Sequence, residues 1–119
     1  MILTLTKLKV CDNSGVKYVK CFKVYKTFFG QVGSLIYASI RESKNKDKYK
    51  RGDIVRGVII RNKKLINRYT GNFISFDSND VVLIDSKYDI IGTRVFGPLP
   101  FELRKKRHLK LLSLASSTV

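Results

Sequence analysis

The chain has 119 residues, a formal net charge of +15 and a hydrophobic fraction of 44%, which fits one folded domain over residues 1–119 and excludes a disordered basic tail. No apolar run reaches the roughly 18 residues of a membrane span, and the N-terminus has neither a secretory-signal nor an organelle-import pattern. Cys11, Cys21 and His108 are too few for a disulfide framework or a structural zinc site, so we expect no metal and no cofactor.

Short segments rich in Val, Ile, Tyr and Phe, separated by turn residues, predict β-strands along most of the chain. The predicted strands cover residues 3–10, 16–24, 35–40, 54–61, 73–76 and 81–84. Turns are predicted at residues 12–15, 51–53 and 70–72, each of which contains a glycine. Strands at this spacing, without helices between them, predict a mainly β fold, either a small barrel or a sandwich, and a barrel leaves no exposed strand edge.

The second predicted strand has an irregular pattern. Val16, Tyr18, Phe22 and Val24 make a plausible inner face, but Lys20 would then face inward as well. Either a β-bulge turns Lys20 outward or this register is wrong, and the sequence leaves both interpretations open.

Further along the chain, Val58, Ile59 and Ile60 form a continuous apolar run, which predicts a strand buried on both of its faces. A helix is predicted over residues 100–107. Its proline suits a first helical turn, and its charges, acidic at the start and basic at the end, match the helix dipole. The apolar segment that follows must cover part of the core; it contains Leu109, Leu111, Leu112 and Leu114.

The positive charge is concentrated in particular regions. The net charge is +5 over residues 1–40, +8 over 41–70, −2 over 71–100 and +4 over 101–119. A surplus of this size predicts a polyanionic partner, such as nucleic acid or an anionic membrane surface. The acidic quarter, residues 71–100, is not expected to face that partner.

Residues 44–64 are the strongest candidate for the polyanion-binding surface, since nine basic side chains lie there, within a stretch, 41–70, that contains eleven. A solvated loop is the usual interpretation of such a run, but self-repulsion at +15 favours neutralisation by phosphates. Alternate lysines over residues 44–50 would lie on one side of an extended segment. Nearby Tyr25, Phe28, Phe29 and Tyr69 could stack on unpaired bases, although core packing explains the two phenylalanines equally well.

An enzyme would need a catalytic set, and none can be assembled from this sequence. Asp77, Asp80, Asp85 and Asp89 have no partner for acid–base catalysis, and they are expected to cap turns or to pair with nearby lysines. Cys21 lies within an apolar run, where a small core residue is more common than a nucleophile. We therefore predict that the chain is not an enzyme and has no small-molecule substrate.

Seven motifs occur in the order Asp12-Asn13-Ser14-Gly15, Lys50-Arg51-Gly52-Asp53-Ile54-Val55, Gly57-Val58-Ile59-Ile60-Arg61, Phe76-Asp77-Ser78-Asn79 before Val81-Val82, Gly92-Thr93-Arg94-Val95-Phe96-Gly97-Pro98, Glu102-Leu103-Arg104 and Ser113-Leu114-Ala115. Together they resemble the family of the universal large-subunit ribosomal protein number fourteen, of bacterial and organellar type. The resemblance extends over essentially the whole chain.

This resemblance implies a small five-stranded β-barrel over about residues 1–98, with a C-terminal helix and tail over about 99–119. It also implies a structural constituent of the large ribosomal subunit. The implied partners are large-subunit rRNA, a neighbouring large-subunit ribosomal protein and small-subunit rRNA at an inter-subunit bridge, with no membrane partner.

The basic residues then become the expected rRNA-binding set. Its members are Lys17, Lys20, Lys23, Lys44, Lys46, Lys48, Lys50, Arg51, Arg61, Lys63, Lys64, Arg104, Lys105 and Arg107. A second set, Thr93, Arg94 and Phe96, resembles the family's docking surface for a factor that blocks subunit joining. Arg94 is nearly alone among the acidic residues of its quarter, which suits a protein contact.

The sequence departs from the family pattern at two positions. Asp80 stands where the family usually has a small apolar residue, and Phe101 stands where it usually has a small one. Residues 25–33 and 62–72 match only loosely, so the resemblance gives little support to RNA contacts there, including those expected of Lys63 and Lys64.

The residue usage, with 16 Lys and 11 Ile but only 2 Ala, is what an AT-rich coding sequence would produce. With no import pattern, it favours a gene in an organelle genome. We expect a mitochondrial ribosome in the matrix, with a plastid or a bacterial cytoplasm as the alternatives. The competing function is a free-standing barrel protein that binds single-stranded nucleic acid.

Overall fold

The computed structural model describes residues 2–26, 28–44, 47–67, 71–105, 109–115 and 117–119. The strands within these ranges are β1 (Lys7–Val10), β2 (Val16–Val24), β3 (Leu35–Ser43), β4 (Ile54–Arg61), β5 (Ile66–Asn67), β6 (Phe73–Ile74) and β7 (Asp80–Ile84). Two short helices follow, α1 (Glu102–Lys105) and α2 (Leu109–Leu114). The predicted mainly β fold is confirmed.

Five strands form a closed barrel in the order β1-β2-β3-β4-β7. The neighbours along the chain pair antiparallel, and β4 also pairs antiparallel with β7. The closing pair is parallel, with Lys9 opposite Asp80 and Val10 opposite Val81. β5 and β6 form a separate two-stranded sheet in the connection between β4 and β7. The structure therefore confirms the barrel and excludes the sandwich.

Several predicted strand ends were wrong. β1 begins at Lys7 because residues 3–6 form a turn, in which the Thr6 N–H donates to the Leu3 carbonyl and Leu5 adopts a left-handed φ of 69°. β3 is longer than predicted and continues to Ser43, whereas β6 ends at Ile74. β5 was not predicted at all.

The structure resolves the irregular pattern of β2. The pairing of β2 with β3 shifts register around Tyr18 and again between Cys21 and Lys23, which indicates bulges. Between the shifts, Val19 and Cys21 face inward and Lys20 faces outward, opposite Lys7 and Ser39. The predicted inner face was right for Val16 and Val24, which are buried, and wrong for Phe22, which is 43% exposed.

The prediction that the run at residues 58–60 is buried on both faces is confirmed. Ile59 belongs to the barrel interior, together with Leu8, Val81 and other buried side chains. Val58 and Ile60 face outward into a second apolar cluster, which contains residues of the C-terminal segment. β4 is therefore enclosed by the barrel on one side and by that segment on the other.

The C-terminal segment covers the barrel as expected. Leu103 in α1 is fully buried and Leu111 in α2 is 2% exposed, and both belong to the outer apolar cluster. The predicted helix over 100–107 corresponds in part to α1, and residues 106–108 lie outside the described ranges. Across the described residues, no helix has the length and apolar character needed to cross a membrane.

Candidate nucleic-acid and protein interfaces

The turn between β1 and β2 is held by the buried carboxylate of Asp12. Its Oδ1 accepts hydrogen bonds from the Ser14 N–H and the Ser14 hydroxyl, and its Oδ2 accepts from the Leu83 N–H at 3.1 Å. Gly15 follows with a φ of 101°, a conformation that glycine adopts without steric cost. The predicted turn is thereby fixed to β7, and it presents Asn13 to the neighbouring loop.

Asn13 holds the segment that carries the predicted protein-interface residues. Its Oδ1 accepts from the Thr93 N–H at 2.8 Å and from the Arg94 N–H at 3.2 Å. Its Nδ2 donates to the Thr93 hydroxyl at 2.7 Å. The side chains of Thr93 and Arg94 remain exposed. The Asn13 amide therefore fixes the backbone of this motif while leaving its side chains accessible.

We expect Asn13→Ala to loosen this motif. Without the amide, two backbone N–H groups lose their acceptor, and exchange of the Thr93 and Arg94 amide protons should accelerate by about tenfold or more. Hydrogen exchange measured by NMR tests this. The internal control is the amide of Leu83 on β7. It donates to the carboxylate of Asp12, the residue before Asn13, and should keep its protection. Unchanged exchange at both Thr93 and Arg94 would contradict the assigned role of Asn13.

Arg61 is buried and does not belong to the RNA-binding surface to which the sequence assigned it. This residue was assigned to the rRNA-binding set, but it is only 7% exposed, and its Nε is paired with the Asp80 carboxylate at 2.5 Å. Its Nη1 donates to the carbonyls of Phe96 and Pro98, each at 2.9 Å. A guanidinium committed to these partners cannot also bind a surface phosphate, so we remove Arg61 from the RNA-binding set.

Arg61 instead positions the end of the 92–98 motif. Gly97 lies between the two carbonyls that accept from Arg61, has a φ of 83°, and leaves no space for a Cβ beside the guanidinium. Asp80 is held in turn by the Ser78 hydroxyl, which lies 2.8 Å from each carboxylate oxygen. Phe96, 52% exposed, projects from this braced loop. Asn13 and Arg61 thus fix the two ends of the predicted protein-interface motif.

The structure gathers four basic residues around one cleft of about 580 Å³. It is lined by Lys17 on β2, Arg41 on β3, and Lys50 and Arg51 in the turn before β4, with Tyr49 beside them. Glu42 and Ser43 complete the lining. Among the described residues, none of these four cations forms a salt bridge. We call this group, Lys17, Arg41, Lys50 and Arg51, the basic cleft.

A second cleft, of about 570 Å³, lies next to it. It is lined in part by Lys9, Lys17 and Lys44, and also by Asn13 and Phe96. Lys17 therefore lines both clefts, and the exposed Phe96 borders the same hollow as three lysines. The surfaces expected to face RNA and protein adjoin each other here, although the sequence places their residues far apart.

The other predicted RNA-binding residues are distributed around the barrel. Lys20 and Lys23 face outward on β2, and Lys48, Lys63 and Lys64 are exposed in connections. The backbone N–H groups of Lys63 and Lys64 donate to the side chains of Asn79 and Asn62, which fixes that turn. Arg104 and Lys105 lie in α1, whereas Lys46 and Arg107 lie outside the described residues.

Arg41 and Lys9 also line these clefts, and neither was predicted as a binding residue from the sequence. Lys7 and Lys9 alternate with buried Leu8 and Val10 along β1, so strand periodicity alone could have placed both lysines on the outer face. Arg41 was overlooked because the predicted third strand ended at Ile40. In the structure β3 continues, and Arg41 reaches the basic cleft.

Three aromatic residues near the end of β2 are too exposed to belong to the core. Phe28 is 93% exposed, Tyr25 42% and Phe29 40%. The core alternative that the sequence left open is therefore wrong for Phe28. Tyr69, the fourth predicted stacking residue, lies outside the described residues.

The titratable groups have structural roles. Cys21 is fully buried, as predicted, and burial raises the pKa of both the Cys11 and Cys21 thiols, which disfavours the nucleophilic thiolate. Asp85 caps its turn by accepting from two backbone N–H groups, and Asp89 pairs with Lys110 at 3.0 Å, as expected for such carboxylates. In the described part of the chain, no three metal-ligating side chains converge on one point.

The model of the family described as ribosomal protein L14p/L23e matches residues 1–119, which is the whole chain.

Proposed function

Because the chain belongs to the ribosomal protein L14p/L23e family, we propose that it binds large-subunit rRNA, chiefly through the basic cleft and the lysines around it. The family is one of structural, non-enzymatic constituents of the large ribosomal subunit. The observation that carries the proposal is the group of four cations at the basic cleft, none of which pairs with a described carboxylate. Such a cluster repels itself unless an anion neutralises it, and a phosphate backbone supplies anions at regular spacing.

The proposed binding set lies on the barrel strands and on the connections between them, and all of its described members except the half-buried Lys20 are exposed. It contains Lys17, Lys20, Lys23, Arg41, Lys44, Lys48, Lys50, Arg51, Lys63 and Lys64. We retain Lys46, Arg104, Lys105 and Arg107 as sequence-based members. Contacts of this kind position a protein on RNA without reading its sequence, which suits a constituent that holds rRNA segments in place.

We assign a protein contact to Thr93, Arg94 and Phe96, and we propose that this motif faces the subunit interface. Asn13 and Arg61 hydrogen-bond to its backbone, so the loop is already ordered before a partner binds. Binding would therefore cost little conformational entropy. The partners proposed for this region are a neighbouring ribosomal protein, small-subunit rRNA at a bridge and a factor that blocks subunit joining. Lys9 and Lys44 line the same cleft as Phe96, where they could bind phosphates of small-subunit rRNA at a bridge.

Isolated chain should bind rRNA fragments with a steep dependence on salt. Neutralising about six phosphates predicts a slope near −5 in a plot of log affinity against log salt, from about 0.05 to 0.5 M. Replacing Lys17, Arg41 and Arg51 together by alanine should flatten this slope by about 2 to 3. Lys110→Ala is the matched control, because Lys110 is already paired with Asp89. A flat response of the unmodified chain would overturn the proposal.

The proposed location is the mitochondrial ribosome, on the basis of residue usage, with plastid and bacterial ribosomes as alternatives. Sedimentation of a native extract tests both location and function. Only a ribosomal constituent co-migrates with large subunits at high salt, whereas a free-standing single-strand-binding barrel dissociates as its phosphate contacts are screened. Co-migration with subunits from an isolated organelle fraction identifies the compartment.

A further inference from the structure

An aromatic and cationic group lies on the outer face of the barrel, and none of its members lines the basic cleft. It consists of Phe22, Lys23, Tyr37, Arg56 and Tyr88, and we call it the Tyr37 patch. In the sheet, Tyr37 on β3 lies between Lys23 on β2 and Arg56 on β4. The Phe22 and Tyr37 rings are 6.4 Å apart at their centroids. The Arg56 guanidinium lies 5.4 Å from the Tyr37 ring and 5.9 Å from the Tyr88 ring.

The backbone of β2 departs from regular pleating to build one side of this patch. Cys21 and Val24 are buried, so strict alternation would send one of the two residues between them inward. The register shift between Cys21 and Lys23 instead leaves both Phe22 and Lys23 facing outward. A bulge of this kind redirects a side chain. Here it puts a lysine and a phenylalanine next to each other beside Tyr37.

The opposite side of the patch also rests on an unusual backbone conformation. Tyr88 has a left-handed φ of 64°, which is unfavourable for a bulky residue. The turn is held by Asp85, whose Oδ1 accepts from the N–H groups of Lys87 and Asp89, both at 2.9 Å. Tyr88 is 58% exposed, so burial of its ring does not explain this conformation. The hydrogen bonds of Asp85 hold the turn in this conformation, which places the Tyr88 ring beside the Arg56 guanidinium.

We propose that the Tyr37 patch stacks unpaired bases of RNA. Tyr37 is half-buried, whereas Phe22 and Tyr88 are exposed. Accessible rings on a sheet, flanked by cations, can stack bases while holding the adjoining phosphates, and guanidinium planes stack on bases as well. Among the described residues, Lys23 and Arg56 form no salt bridge. The next row of the same face adds Lys7 and Lys20, which lie opposite each other. This positive surround favours RNA over a protein partner as the ligand.

The inference rests on the proposed function, in that RNA is the partner, but it adds a different mode of recognition. The basic cleft binds phosphates, which duplex and single strand share, whereas ring stacking requires bases that are not paired. The two modes can therefore be separated by comparing probes. We choose a single-stranded oligouridine of about 12 nucleotides and an RNA duplex of about 12 base pairs.

Tyr37→Leu should weaken binding of the oligouridine by about tenfold at fixed salt, and it should change binding of the duplex by less than about twofold. Tyr37→Phe keeps the ring and should bind both probes as the unmodified chain does. Phe73→Leu removes a ring on β6 that is 63% exposed, and it serves as the control for loss of any exposed aromatic side chain. Thermal unfolding of each variant checks that the fold is retained.

Equal binding of oligouridine by the Tyr37→Leu variant and the unmodified chain would overturn the inference, as would an equal loss for both probes. In either case salt-dependent binding of the duplex by the unmodified chain would leave the proposed function standing. If the unmodified chain bound neither probe, both proposals would fail.

Photo-crosslinking in native large subunits distinguishes RNA from protein at this patch. With Tyr88 replaced by p-benzoylphenylalanine, an adduct to rRNA supports the inference. An adduct to a second ribosomal protein would overturn it and would assign the patch to a protein contact.

Discussion

Arg61→Met is expected to lower the free energy of unfolding by about 3–5 kcal/mol. The substitution leaves the carboxylate of Asp80 buried, at 2% exposure, without its charged partner. It also removes the donor on which the carbonyls of Phe96 and Pro98 depend. Urea titration followed by circular dichroism measures the effect, provided that the slope against urea stays unchanged.

Two further variants show whether the unpaired charge is responsible. Adding Asp80→Ala to Arg61→Met removes the orphaned carboxylate and should restore most of the lost stability. Lys110→Ala breaks the exposed pair with Asp89 and should change the free energy of unfolding by about 0.5 kcal/mol or less. A double variant as unstable as Arg61→Met would contradict our account of the pair.

Ile59→Ala is expected to lower the free energy of unfolding by about 2–5 kcal/mol. Ile59 is fully buried in the barrel interior, where loss of three carbon atoms leaves a cavity that closed strands cannot easily fill. The same urea titration measures this loss.

Ile54→Ala is the matched control for the interior substitution. Ile54 lies on the same strand, β4, but it is 69% exposed, so its truncation should change stability by about 0.5 kcal/mol or less. Similar losses for the two variants would mean that strand propensity, and not interior packing, governs the contribution of β4.

The sequence predicts local features of this fold well. The turn at residues 12–15 follows from side chains that bond to their own backbone, and the outcome depends on neighbours only one or two positions away. Burial of Val58, Ile59 and Ile60 on both faces follows from the absence of any polar residue among them. In each case the information lies within a few adjacent residues.

Features that depend on distant partners could not be predicted. Arg61 looked like one more cation of a basic region, since its partner Asp80 is on another strand and its other acceptors are backbone carbonyls, which have no sequence signal. Asn13 and Thr93 meet across the fold for the same reason. The bulges of β2 likewise depend on pairing with β3, and they decide which way Lys23 points.

The surroundings of Asp80 show how the fold accommodates a carboxylate at a position where the resemblance led us to expect a small apolar residue. An isolated carboxylate would be unfavourable in the wall of a barrel. Here Asp80 supplies the counter-charge for Arg61 and accepts the Ser78 hydroxyl, so its burial is compensated. Phe101, the second departure, is 39% exposed, and nothing in the structure explains it.

The parallel pairing of β1 with β7 determines when this barrel can be completed during synthesis. β1 emerges from the translating ribosome first, but its partner strand ends at Ile84, so a long stretch of chain must be made before the two can meet. Until β7 has been made, β1 and β4 each have one edge without a hydrogen-bonded neighbour strand. Loop-closure entropy makes such non-local pairing slow. Co-translational folding of this chain can therefore close the barrel only after β7 has been made, and the C-terminal segment that covers β4 must pack later still.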